Sequence, residues 1–149
     1  MINNYSQLDD RAREVLRNAG ENAHSLGHTT IEPEHVLLGI LDEGSGVTDS
    51  FLIAIDRSFQ LVRDSLKNRM PRQMPANDFG QLPRSRTTTQ LIEHAIYEAS
   101  ASDVDLASPV HLVLGILRVR GTAANETLEQ LGIKIDDIRR DASGQQNAR

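Results

Sequence analysis

Apolar residues recur at helical spacing in two stretches of the chain. Ala12, Val15, Leu16, Ala19, Ala23 and Leu26 form one stripe, and Leu91, Ile92, Ala95, Ile96 and Ala99 form a second. Each stripe is followed by a segment that is apolar on nearly every side, Pro33 to Leu41 and Pro109 to Leu117, which predicts a helix buried all round. A third, short helix is predicted over 47–55 and 123–131, and a fourth over 58–69 and 135–142. The starts are signalled chemically. Asp9 or Asp10, and Ser85, can accept from the orphan amides of a first turn. Ser108-Pro109 is a capping hydroxyl followed by proline at the first helical position. In Glu32-Pro33-Glu34, both carboxylates suit the positive end of the helix dipole. No segment sustains a period of two across β-branched residues, so the expected class is all-α.

The halves are copies of one unit. Sliding the chain against itself by 76 residues lays Pro33-Glu34-His35-Val36-Leu37-Leu38-Gly39-Ile40-Leu41 on Pro109-Val110-His111-Leu112-Val113-Leu114-Gly115-Ile116-Leu117. Six of the nine positions are identical, and two of the other three exchange Val and Leu. The same offset pairs Ala19 with Ala95, Ala23 with Ala99, Leu52 with Leu128 and Val62 with Ile138. The expected organisation is a first four-helix repeat over 1–69 and a second over 85–142. A Pro-rich linker over 70–84 joins them, and a polar, frayed tail follows over 143–149.

Composition narrows the function classes. At 149 residues, 38% hydrophobic and 25% charged, the chain has the balance of a soluble globular domain. The absence of Cys excludes a disulfide framework, a thiol nucleophile and Cys-ligated metal. No apolar run reaches the roughly 18 residues of a spanning helix, and Met1-Ile2-Asn3-Asn4 opens neither a signal nor a transit peptide. No membrane association and a cytoplasmic location are expected. Net charge is −5 but uneven: −6 over 1–62, +4 over 63–86 and −3 over 87–149. An acidic body with few aromatic residues is not a nucleic-acid footprint. No phosphate-cradling Gly-x-x-x-x-Gly-Lys-Ser/Thr loop and no Gly-x-Ser-x-Gly elbow occur, so neither a cofactor nor catalysis is expected.

The duplicated Pro-x-His-x-x-Leu-Gly-Ile-Leu element, preceded in the first copy by Leu26-Gly27-His28, resembles the Clp repeat. That repeat builds the N-terminal domain of the Clp/Hsp100 protein-unfolding ATPases, here most like the ClpC type. The resemblance covers residues 5–142 and implies a double four-helix domain with pseudo-twofold symmetry that receives substrates and adaptors. Expected partners are Clp ATPase or peptidase subunits and adaptor or client proteins. The start at Met1 favours a free-standing accessory protein over a receptor domain cut from a longer unfoldase. An accessory subunit of the ATPase or peptidase ring, and a cyclic-peptide sensor, are the alternatives to a client-docking domain.

The resemblance also implies site residues. In ClpC-like domains a Glu in each repeat helps bind phosphoarginine through its guanidinium, while a hydroxyl and basic groups at the first helix start hold the phosphate. The first repeat keeps Glu34 but has Asp9 in the hydroxyl position; the second keeps Ser85 between Arg84 and Arg86 but has Val110 for the Glu. Neither site is whole, and Glu34 reads more simply as a helix-start charge. His35 and His111 are expected to be buried imidazoles bonding across the interface between units. His24 and His28 stand at i, i+4, a metal-ligand spacing, but Gly27 between them signals a helix end, so no metal is expected. The basic segment with Arg63, Lys67, Arg69, Arg72, Arg84 and Arg86 is a candidate docking surface, with Phe79 and Leu82 candidates for the groove between units.

Overall fold

The structure, a computed structural model, describes residues 4–54, 59–68, 70 and 82–147. After a short 3-10 turn at Asn4–Gln7, the first repeat has α1 (Asp10–Ser25), α2 (Pro33–Glu43), α3 (Asp49–Ala54) and α4 (Phe59–Asn68). The second has α5 (Arg86–Ala101), α6 (Pro109–Arg118), α7 (Ala123–Gln130) and α8 (Ile135–Asn147). The all-α class is as the sequence predicts. Asp9 Oδ1 accepts from the Ala12 amide at 2.8 Å, Ser85 Oγ from the Thr88 amide at 3.2 Å, and Thr122 Oγ1 from the Asn125 amide at 3.0 Å. Most of the predicted linker, residues 71–81, lies outside the described residues. Helix α8 runs on into the polar tail segment as far as Asn147. With Ile138 and Ala142 buried on its inner face, the helix needs only one further bond per residue to propagate through Ser143-Gly144-Gln145.

Helices α2 and α6 form the centre of the molecule, with Val36, Leu37, Leu38, Ile40, Leu112 and Val113 inaccessible to solvent or nearly so. Their closest neighbours are α1 and α5, and the glycine of the repeated motif explains how close the approach is. A Cβ built on Gly39 would stand 2.4 Å from the Val15 carbonyl oxygen, and one on Gly115 would stand 2.2 Å from that of Leu91. Positions 39 and 115 must therefore lack a side chain for the helix pairs to cross where they do.

The repeats are joined by a reciprocal exchange. The Asp9 amide donates to the Ala107 carbonyl at 2.9 Å, and the Ala107 amide to the Gln7 carbonyl at 2.9 Å. The Ser85 amide donates to the Ile31 carbonyl at 3.0 Å, and the Ile31 amide to the Pro83 carbonyl at 2.8 Å. These are the same two bonds with the repeats interchanged, and each makes one isolated parallel bridge, Leu8 with Ala107 and Ile31 with Arg84. The segment entering the first helix of either repeat thus pairs with the segment entering the second helix of the other. The short helices are tied across the repeats as well. Asp141 of α8 accepts from Thr48 Oγ1 at 2.5 Å and from the Ser50 amide at 3.2 Å, at the start of α3. Glu34 of α2 accepts from the Ala123 amide at 2.9 Å, at the start of α7.

One polar cluster occurs twice with its charges exchanged. In the second repeat the buried Glu98 receives Arg118 Nη1 at 3.2 Å and both Arg139 Nε and Nη2, at 3.0 and 2.9 Å. The equivalent positions in the first repeat hold Asn22, Asp42 and Arg63, and there Asp42 accepts from both Asn22 and Arg63. The acid has moved from the first helix to the second, while the arginine on the fourth helix stays. Asp42→Arg alone is expected to destabilise, because it sets two guanidiniums together. Adding Asn22→Glu, which copies the second repeat, is expected to recover at least about 1 kcal/mol of coupling in a double-mutant cycle followed by urea unfolding.

Candidate functional site

The predicted site residues lie at the two crossed bridges, and the crossing decides which of them meet. At one bridge the start of α5 lies beside the start of α2, so Arg84 and Ser85 run alongside Ile31 and Glu32, with Glu34 in the first turn of α2. At the other, Asp9 at the start of α1 lies beside Ala107 and Ser108, with Val110 in the first turn of α6. The hydroxyl, two arginines and the glutamate that the sequence distributes over different repeats therefore share one bridge. The carboxylate and the valine share the other. Sequence offset matches equivalent residues; it does not say which copies are neighbours.

The Arg84–Ser85 bridge is anchored by the Ile31 carbonyl, which accepts from the Ser85 amide and, at 2.7 Å, from the hydroxyl of Thr88. Buried Thr88 in turn takes the Ser85 hydroxyl proton at 3.0 Å. Thr88 is a residue that the sequence reading missed; its position three residues after the capping Ser85 was the available signal. The first turn of α5 contains no acidic residue, so the positive end of its dipole is left uncompensated. Arg84 is half-buried, and burial pulls its guanidinium down from its ordinary pKa; no carboxylate among the described residues pairs with it. Arg86 is exposed. The bond from Ala123 occupies Glu34 Oε1 and leaves Oε2 for another donor. This end of the molecule can hold an anion at α5 and a cation at Glu34 together.

The other bridge has the opposite chemistry. Asp9 puts a carboxylate on the helix start, Asp10 adds a second in the first turn of α1, and Val110 is buried where Glu34 is partly exposed. An anion is repelled there.

The two motif histidines are buried, but their bonds differ from the expectation. Among the described residues, neither hydrogen-bonds across the interface between repeats. His35 Nδ1 accepts from the Glu32 amide at 2.8 Å and His111 Nδ1 from the Ser108 amide at 3.0 Å, so each ring caps the start of its own helix. The imidazole at the third helical position reaches back exactly one turn's worth of chain, as Glu does in a capping box. Burial pulls both histidines below the ordinary imidazole pKa, His35 to about 4 with His28 adding to the effect. His24 and His28 do not share a helix, since α1 ends at Ser25 and Gly27 takes φ 76°; no metal-binding group of three His, Cys, Asp or Glu occurs among the described residues. Of the basic segment, Arg63 is committed to Asp42 and Leu82 packs against the core, while Arg69, Arg72 and Phe79 lie outside the described residues.

Comparison with known proteins agrees with this architecture. The family model described as the Clp repeat (R) N-terminal domain matches residues 7–104. Among curated proteins, the negative regulator of genetic competence ClpC/MecB of Bacillus subtilis is 28% identical over 136 residues, which cover 91% of this chain and 16% of the relative. The chaperone protein ClpB of Oceanobacillus iheyensis is 25% identical over 136 residues, again 91% of this chain and 16% of the relative. The chain thus spans about one sixth of the length of these relatives. Among solved structures, the N-terminal domain of ClpD from Arabidopsis thaliana has a TM-score of 0.70 at 18% identity, covering 95% of this chain and 98% of that one. The Hsp104 N-terminal domain from Candida albicans has a TM-score of 0.71 at 14% identity, covering 96% and 93%. No described helix is long and apolar enough to cross a membrane.

Proposed function

The chain belongs to the Clp repeat N-terminal domain family, and from that premise we propose that it docks client or adaptor proteins for a Clp unfoldase through the bridge between α2 and α5. Clp N-domains are non-catalytic and bind the adaptors and substrates of Clp/Hsp100 ATPases. Docking needs no chemistry of its own: it raises the local concentration of a client at the machine. The contact we assign is a phosphoarginine side chain, its guanidinium on Glu34 and its phosphate on Arg84, Ser85, Arg86 and the open end of α5. The observation that supports this reading is the crossed bridge, which pairs the segment carrying Arg84 and Ser85 with the segment that leads into α2 and Glu34. Asp9 takes no part, because its carboxylate belongs to the other bridge with Val110, and one ligand per chain is expected.

Titration calorimetry with a phosphoarginine peptide tests this. Glu34→Gln keeps an oxygen for the Ala123 amide but removes the charge that faces the guanidinium. It is expected to weaken binding by at least about tenfold, as loss of a charged hydrogen bond does, with the fold intact by circular dichroism. Arg84→Gln is expected to weaken it comparably. Two ligands per chain, or an affinity unmoved by both substitutions, would refute the assignment.

A further inference from the structure

The first repeat carries a proton-sensitive element that the second lacks. His35 is completely buried; its Nδ1 accepts from the Glu32 amide at 2.8 Å, and its Nε2 lies 2.7 Å from Nδ1 of His28. A backbone amide can only donate, so His35 Nδ1 bears no proton, and the neutral ring must carry its proton on Nε2. That proton is then given to His28 Nδ1, and His28 in turn carries its proton on Nε2. The chain of bonds therefore runs one way, from the Glu32 amide through His35 to His28. An added proton has no place in it. On His28 Nδ1 it opposes the His35 Nε2 proton, and shifting the latter to His35 Nδ1 opposes the Glu32 amide. The charged and titratable groups acting on His35 are His28, which disfavours its protonation, and Glu32, which favours it.

We propose that the His28–His35 pair is an acid-sensitive latch on the first turn of α2, and that taking up one proton releases the Glu32 cap. The consequence reaches beyond the turn. Glu34, next to His35, holds the start of α7, and Ile31, next to Glu32, forms the bridge to Arg84. Opening the latch loosens the contact between repeats at this one bridge. The second repeat is an internal control, because Val104 occupies the position equivalent to His28 while His111 keeps the same cap on Ser108. Acid is thus expected to act more strongly on this bridge than on the other, where burial alone holds His111 below the ordinary range. The inference rests on hydrogen-bond direction and stands whether or not a phosphoarginine ligand is bound.

The sign follows from the position of His35. Its folded pKa, about 4, lies below the ordinary 6.5, so the stability it contributes is complete above pH 6.5 and is lost as pH falls toward 4. The test is NMR of the full chain between pH 7 and 4. At pH 7 the ring nitrogens are expected to report both His28 and His35 as neutral and protonated on Nε2. As pH falls, the protection factor of the Glu32 amide, divided by that of Ser108, is expected to drop by up to about tenfold per pH unit, the signature of one proton. His28→Val, which copies the second repeat, is expected to abolish that fall in the ratio. Finding His35 protonated on Nδ1 at pH 7, or a ratio constant with pH in the unsubstituted protein, would overturn the latch. So would an unchanged fall in His28→Val; if that variant does not fold, the ring tautomers and the ratio in the parent protein decide.

Discussion

Gly39→Ala is expected to destabilise the protein by about 3 kcal/mol or more, although alanine is the better helix former by about 1 kcal/mol. The new methyl would stand 2.4 Å from the Val15 carbonyl oxygen. That atom is backbone in the middle of α1, so no side chain can rotate out of the way; α1 and α2 must separate or bend. Separation in turn opens a centre whose side chains are fully buried, and a close-packed interior does not yield gradually. Gly115→Ala should behave alike, since its methyl would meet the Leu91 carbonyl oxygen at 2.2 Å. Gly20→Ala is the control. It also lies within α1, but its nearest contact would be Ile31 Cδ1 at 3.7 Å, an ordinary distance. Urea unfolding of the three variants should leave Gly20→Ala within about 1 kcal/mol of the parent or above it, with the other two far below. Equal stability of Gly39→Ala and Gly20→Ala would mean that the motif glycine is not there for helix contact.

Arg139→Ala is expected to cost about 2–3 kcal/mol, because it strips two charged hydrogen bonds from a largely buried carboxylate. Glu98 is only 5% exposed, and Arg118 alone remains to compensate it at 3.2 Å. Arg140→Ala, whose ion pair with Asp137 lies on the surface, is expected to change stability by less than 1 kcal/mol. The two arginines are adjacent in sequence and differ in what they neutralise. The Arg139 hydrogen bond, helped by the charges of both arginines, holds Glu98 below the usual carboxylate range against the opposing effect of burial. Its contribution is therefore present above the unfolded carboxylate value, about 4.3, and is lost as pH falls through the lower folded one. The stability gap between parent and Arg139→Ala should close in that acid range. A gap that persists once Glu98 is protonated would assign the cost to packing of the arginine stem instead.

The elements were legible in the sequence because their signals are local. The apolar stripes, the cap residues Asp9 and Ser85 and the Ser108-Pro109 start each act within one turn of helix, and the offset of 76 residues exposed the duplication. Even the burial of His35 and His111 could be read from their apolar helices. Their bonding could not, since an imidazole three residues into a helix can face a neighbour or its own cap, and spacing is the same for both. The site was less legible for a topological reason. Glu34 and Asp9 belong to one repeat, and matching repeat with repeat suggests that they share a site. The entering segments instead cross between repeats, so that the segment leading to Glu34 pairs with that of Arg84 and Ser85, and the segment leading to Val110 with that of Leu8 and Asp9. That crossing is set by backbone bonds at Ile31 and Ala107, whose side chains carry no trace of it. The exchanged charges of Asn22–Asp42–Arg63 and Glu98–Arg118–Arg139 escaped for a similar reason: two of the three pairs of equivalent residues change charge, and the compensation shows only when all three are seen together.

A phosphoarginine peptide added to isotope-labelled protein, with amide shifts followed by NMR, measures directly whether one bridge is the recognition site. Saturable shifts confined to Glu32–His35 and Arg84–Thr88 are expected, with Asp9–Ala12 and Ser108–His111 unmoved. Equal shifts at both bridges, shifts only around Asp9 and Val110, or none at saturating peptide would contradict docking at the α2–α5 bridge.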